Sequence, residues 1–178
     1  VEASTDGLSI ESDPSMGIRA ASLTKLILND VRVGGDALLG DPADYRECVQ
    51  NSRLAWCALA LGTGQAVLDY VIPYVQERKA FGEPISHRQA VAFMVANIGI
   101  ELEGMRLVTY KAAGRVAQGK DADREIGLAR RLCAERGMGI GLDGVQLLGG
   151  HGFVKEHPVE RWYRDLRAVG LMEGAVLV

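Results

Sequence analysis

One carboxylate near the end of the chain stands apart from the other acids in it. In AVGLMEGAVLV, Glu173 is flanked by Leu171, Met172, Ala175, Val176, Leu177 and Val178, with no second acidic residue in the run. Burial among apolar groups disfavours the charged form of a carboxyl group, raises its pKa and turns a poor base into one matched to neutral pH. A solvated glutamate that caps a helix end beside a glycine has the same local sequence, so on residues alone both readings stand.

A second candidate is GMGIGLDGVQLLGGHG, Gly137 to Gly152, which contains G-x-G-x-x-G at Gly139, Gly141 and Gly144. That pattern marks a dinucleotide pyrophosphate site when a strand precedes it and a helix opens on it. Here REIGLARRLCAERG precedes it and reads as amphipathic helix, so the strand is missing. Glycine inside a helix costs about 0.5–1 kcal/mol relative to Ala, and these three glycines are therefore expected where a neighbour comes close. The later cluster Gly149-Gly150-His151-Gly152 falls where the helical stripe ends. Exposed backbone amides in such a turn can lie against a flat or anionic group. Gln146 and the ERKAFG stretch, residues 77–82, have bland alternatives as a satisfied amide and a surface turn with weak ion pairs.

Other chemistries find less support. The three cysteines, Cys48, Cys57 and Cys133, are widely spaced and lie beside apolar residues, as buried thiols in a reducing compartment would. His87, His151 and His157 have no metal-ligand spacing, so no metal is expected. A net charge of -3 without a basic run gives no footprint for nucleic acid. No apolar run reaches the roughly 20 residues of a membrane span, and the first residues lack a signal-peptide pattern.

The elements that must position these groups follow from periodicity. Residues 1–40 carry turn formers and short β-prone runs, GLSI and TKLILNDVRV, which predict two or three strands whose partners lie elsewhere. GGDALLGDPAD marks a boundary. From about Asp44 to Glu77 apolar residues recur at three- and four-residue steps, predicting a helix of some thirty residues that Pro73 bends or restarts. Gly82 and Pro84 break the pattern, and Ser86 is expected to cap a second long helix ending at Gln118-Gly119-Lys120. A third helix is predicted from about Asp121 to Leu148, then a short one opened by Pro158 in PVERWYRDLR.

ERKAFGEPISHRQA, VQLLGGHGF and PVERWYRDLRAVGLMEG, in this order and spacing, resemble the C-terminal half of the acyl-CoA dehydrogenases, flavoproteins that oxidise acyl-CoA thioesters. MGIRAASLTKLILNDVRV with LLG resembles the last strands of that family's central β-domain, and the likeness runs from about Ser15 to Gly174. The resemblance implies a mainly α chain: an up-and-down four-helix bundle, residues 43–178 with its last helix truncated, preceded by terminal strands of an incomplete β-domain, residues 1–42. It implies a homo-oligomer, dimer or tetramer, with FAD held between the β-domain of one subunit and the bundle of another. Arg78, Phe81, Gln89, Gln146, Gly149 and Gly150 match cofactor-binding positions, Glu173 matches the general base, and Arg53 and Gly174 match positions near bound acyl-CoA. Arg164 and Asp165 are expected to form an ion pair bracing the turn that carries the base.

Three residues depart from the family pattern. Ala175 stands where many members have Thr, Ala80 where some have a hydroxyl, and Met172 where an aromatic is usual. The resemblance further implies an electron-transfer flavoprotein as acceptor and a cytoplasmic location, or the mitochondrial matrix in a eukaryote. The N-terminal domain and the strands that hold the flavin ring are expected outside this sequence, which would leave the isolated piece inactive. A non-catalytic bundle serving assembly is the rival reading. An acyl-CoA oxidase relative is a second enzymatic one, whereas a nitroalkane oxidase relative would use an aspartate as base, which Glu173 argues against.

Overall fold

The computed structural model of the chain describes residues 2–174. It opens with β1 (Leu8–Ser12) and β2 (Thr24–Leu28), then runs through four helices, α1 (Pro42–Glu77), α2 (Gln89–Ala117), α3 (Asp123–Leu148) and α4 (Val159–Val169). Between α1 and α2 lies a two-residue hairpin of β3 (Lys79–Ala80) and β4 (Glu83–Pro84). The fold is mainly α, a four-helix bundle preceded by a few short strands, as the periodicity and the resemblance imply.

α1 starts on a reciprocal cap. The Asp41 carboxylate accepts from the backbone N–H of Ala43 and Asp44 at 2.6 and 3.1 Å, and the Asp44 carboxylate accepts from the Asp41 N–H at 2.8 Å. Pro42 at the first helical position loses no hydrogen bond. The helix continues through Pro73 to Glu77, so the proline does not end it. Ser86 does not cap α2: it sits in a single 3-10 turn, and Arg88 takes the cap position without a side-chain bond.

By length and composition α1 could cross a bilayer, but here it packs on α2, α3 and α4. Its buried face, Cys57, Ala60, Leu61, Gly64, Val67, Val71 and Val75, meets Ile98, Leu102 and Met105 of α2 and Cys133 and Ile140 of α3. α4 closes the core with Leu166 and Val169.

Glycines on α3 set how closely α1 and α4 approach it. A Cβ at Gly144 would lie 2.7 Å from Val67 Cγ1 and 3.1 Å from Val159 Cγ1, and one at Gly141 would lie 3.0 Å from the Tyr163 Cα. Gly137, one turn earlier, faces Leu166. Gly139 is exposed with nothing near its Cα, which corrects its expected packing role: it lies on the opposite face from Gly137, Gly141 and Gly144.

The first hairpin pairs Leu8 with Leu28 and Ile10 with Leu26, and Ile10, Leu26 and Leu28 stay exposed. A two-stranded ribbon is marginal alone; this chain fixes it to α4 through one turn. The Ile18 N–H donates to Asp165 Oδ1 at 2.7 Å, Arg164 Nη1 donates to the Met16 carbonyl at 2.8 Å, and a Cβ at Gly17 would overlap the Arg164 carbonyl. The expected Arg164–Asp165 ion pair is therefore replaced. Successive residues of a helix point to different sides, so Asp165 takes the turn while Arg164 pairs with Glu160 at 2.8 Å, a contact that draws the Glu160 carboxyl below its ordinary range.

Gly144→Ala should destabilise the protein by about 1–3 kcal/mol through overpacking, whereas Gly139→Ala on the same helix should stabilise it by about 0.5–1 kcal/mol through helix propensity. Thermal unfolding of the two variants checks this. Equal shifts of the same sign would contradict the assignment of the α3 faces.

Candidate functional site

The first concentration of functional groups lies where α1 and α3 end. A cavity of about 1040 Å³ is lined by Tyr74 of α1, Arg78 just past its end, Ala80 and Phe81 of the short hairpin, Arg88, Val91 and Met94 at the start of α2, and Gln146 to His151. Arg78, Phe81, Gln146, Gly149 and Gly150, which the sequence singles out for a cofactor, are all on its wall. Gln89 is exposed at the start of α2 and is not among the lining residues, although Arg88 and Ala90 on either side of it are.

The backbone around this cavity is held in conformations that cost energy. Phe81 and Gly82 have φ of 56° and 88°, the two left-handed positions of a primed hairpin turn. Glycine adopts that conformation freely; phenylalanine there costs about 1–2 kcal/mol. The residue is 95% exposed, so the chain recovers little by packing it, and the Arg88 guanidinium lies 5.8 Å from its ring centroid. Gly149 ends α3 at φ 58° and ψ -132°. No atom lies within 4 Å of where a Cβ on Gly149 or Gly150 would stand, so their Cα atoms border open space.

Aromatic groups pin the glycine turn to α1. The Tyr74 hydroxyl donates to the Leu148 carbonyl at 3.3 Å and lies within hydrogen-bond distance of His151 Nδ1, 2.9 Å away. Tyr70 Oη lies 2.7 Å from His157 Nδ1, and the two imidazole rings stack at 5.1 Å. Sequence reasoning passed over Tyr70 and Tyr74. Their four-residue spacing, matched by His151 within the glycine cluster and His157 after it, was the available signal.

The second concentration is the turn after α4. Glu173 and Gly174 line a smaller cavity of about 550 Å³ together with Tyr45, Arg46, Val49, Gln50 and Arg53 of α1. The expected base and both expected substrate residues are thus neighbours. The Ser52 hydroxyl donates to Glu173 Oε1 at 2.5 Å, and Arg53 Nη2 reaches the Glu173 carbonyl at 3.5 Å. Buried Arg130 of α3 donates through Nη2 to the carbonyls of Met172 and Gly174. Burial pushes its guanidinium below the usual range, and the nearby Arg53 adds to that. Ser52 and Arg130 were not foreseen from sequence.

Among the described residues, no apolar surround encloses Glu173. Glu173 and Leu171 are exposed and Met172 is half-buried. The cause is local: Glu173 sits at φ 58° and Gly174 at φ 92°, and the carboxylate meets the polar Ser52 on α1. Ala175 lies outside the described residues, as do the apolar residues 176–178.

The two cavities are far apart. Arg53 lies within α1 and Arg78 directly follows its last residue, 25 positions on, which at 1.5 Å per residue is about 37 Å. One extended dinucleotide does not reach from one cavity to the other.

The family model for the acyl-CoA dehydrogenase C-terminal domain matches residues 44–176. The short-chain specific mitochondrial acyl-CoA dehydrogenase of Bos taurus is 37% identical over 175 residues, covering 96% of this chain and 42% of that relative. The caffeyl-CoA reductase–Etf complex subunit CarC of Acetobacterium woodii is 33% identical, covering 98% of this chain and 47% of its own length. Among solved structures, butyryl-CoA dehydrogenase from Megasphaera elsdenii superposes with a TM-score of 0.87 at 28% identity, over 98% of this chain and 47% of that one. The chain therefore spans less than half the length of these relatives.

The strain at Phe81 gives a test. Phe81→Asn creates an Asn-Gly primed turn and should stabilise the protein by about 1 kcal/mol when urea unfolding is followed without added cofactor. A loss of stability would mean that the ring is packed and that the turn is built around it.

Proposed function

The chain belongs to the acyl-CoA dehydrogenase family, and from that premise we propose that it is the bundle end of a flavoenzyme that dehydrogenates an acyl-CoA thioester between its α and β carbons. One observation carries the reading: the residues suited to a cofactor line one end of α1, and those suited to a base and a thioester line the other. Each chain then offers two half-sites. A homo-oligomer, dimer or tetramer, in which one chain's first cavity faces another chain's catalytic region is the arrangement that uses both.

The residues of the first cavity fit FAD. Arg78 and Arg88 supply positive charge, the open Cα atoms of Gly149 and Gly150 admit a group at close approach, and the exposed Phe81 ring offers a flat apolar face. Arg78, Phe81, Gln146, Gly149 and Gly150, with Gln89 at the edge, would hold the cofactor for a neighbouring subunit. Bound there, FAD would supply the acceptor for the hydride that leaves the β-carbon.

In this reading Glu173 removes the α-proton of the thioester. Its backbone N–H holds the thioester carbonyl, and stabilising the charge that develops on that oxygen acidifies the α C–H. Arg53 and Gly174 lie on the acyl-CoA side. Closure by substrate and by a neighbouring chain dries the carboxylate, which the single chain leaves exposed. Residues 1–42 are then terminal strands of a β-domain whose remainder covers the apolar face of Ile10, Leu26 and Leu28, and residues 43–178 are the bundle domain. Electrons pass on to an electron-transfer flavoprotein, and the enzyme works in the cytoplasm or, in a eukaryote, the mitochondrial matrix. The names of the Acetobacterium and bovine relatives support these last two readings.

Glu173→Gln in the complete protein should still bind FAD and acyl-CoA, while the rate at which substrate bleaches the flavin falls roughly 10²- to 10⁴-fold, the usual size of a general-base contribution. Anaerobic stopped-flow absorbance measures it. Unchanged bleaching would assign the base elsewhere.

A further inference from the structure

Arg130 has no acidic partner among the described residues, although it is one of the two buried polar side chains in the core. The nearby Glu173 favours the charged form of Arg130 without forming an ion pair with it, so its buried N–H groups need acceptors elsewhere. Its Nη2 donates to the carbonyls of Met172 and Gly174, on either side of Glu173, while Arg53 approaches the carbonyl of Glu173 itself. Three successive carbonyls thus face two guanidinium groups. Between them the backbone is left-handed at two consecutive residues, Glu173 and Gly174, a conformation that a glutamate does not hold without support. The flanking structure offers little else: Leu171 is exposed, and the last helical bonds of this end run from the N–H groups of Leu171 and Met172 to the Ala168 carbonyl.

We propose that Arg130 is a positioning residue for the general base: from the buried side of the turn it clamps the carbonyls before and after Glu173, fixing the left-handed backbone that aims the carboxylate toward Ser52 and the α1 cavity. This rests on the reading of Glu173 as the base. Arg130 touches neither substrate nor cofactor in this scheme. It acts by geometry, so its loss should affect proton removal far more than binding.

The test uses the complete flavoprotein with Arg130→Met, Arg130→Gln and Arg130→Lys, and Glu173→Gln beside them. The neutral variants should load flavin fully and bind acyl-CoA within threefold of the parent, yet bleach the flavin at least tenfold more slowly at saturating substrate. Arg130→Lys, which keeps a buried donor, should recover to within threefold of the parent rate. Bleaching within twofold of the parent in a folded neutral variant overturns the proposal. If one neutral variant does not fold, the other decides. If neither loads flavin while Arg130→Lys does so normally, Arg130 is a general core residue and the proposal falls. Normal bleaching by Glu173→Gln would instead remove the base assignment, whatever Arg130 does.

Discussion

α1 is 36 residues long, about 54 Å at 1.5 Å per residue, and it runs unbroken from the Asp41 cap to Glu77. That rigid length keeps Arg53 and Arg78 at separate ends of the molecule, so the groups that suit a dinucleotide and those that suit a thioester cannot meet within one chain. The proposed function rests on this separation. A site assembled from both ends needs at least two chains, and the helix that divides the half-sites also forms the spine on which α2, α3 and α4 pack.

Each end of the spine carries backbone that would relax if left alone. At one end, Phe81 stands in a left-handed turn with its ring in solvent, and Gly149 turns the chain out of α3. Tyr70 and Tyr74, one turn apart on α1, hold the loop beyond Gly149 through two stacked histidines. At the other end Glu173 is left-handed too, and the braces are Ser52 and Arg53 of α1 with Arg130 of α3. Strained residues at both candidate sites, each tied back to a core helix, are what preorganised binding and catalysis call for. The glycine face of α3 serves the same end by letting α1 and α4 come close enough for these contacts to form.

Much of this was legible in the sequence where it depended on local periodicity. The three long helices lie within about two residues of their expected bounds, since each shows an apolar stripe over many turns. The short hairpin was read only as a break, because two residues per strand leave no pattern to detect. Gly139 was credited with packing that belongs to Gly137, a choice of helix face that a literal G-x-G-x-x-G disguises. Arg164 and Asp165 were expected to pair with each other, yet a helix sends neighbours to different sides. Arg130 is one of several charged residues on α3. Its contacts lie 42 and 44 residues away, a distance that no local signal spans. Among the described residues Glu173 is exposed, because a left-handed turn directs it away from the apolar neighbours it has in sequence.

The division of the site between chains can be measured directly by mixing two inactive variants of the complete protein, one carrying Glu173→Gln and the other Arg78→Ala, and reassembling them as hybrids. If the half-sites of different chains combine, each mixed pair contains one site with both Glu173 and Arg78 intact, and dehydrogenation should return to about a quarter to a half of the parent rate. Hybrids as inactive as their parents, despite proven subunit exchange, would contradict the account, since both residues would then have to act within one chain.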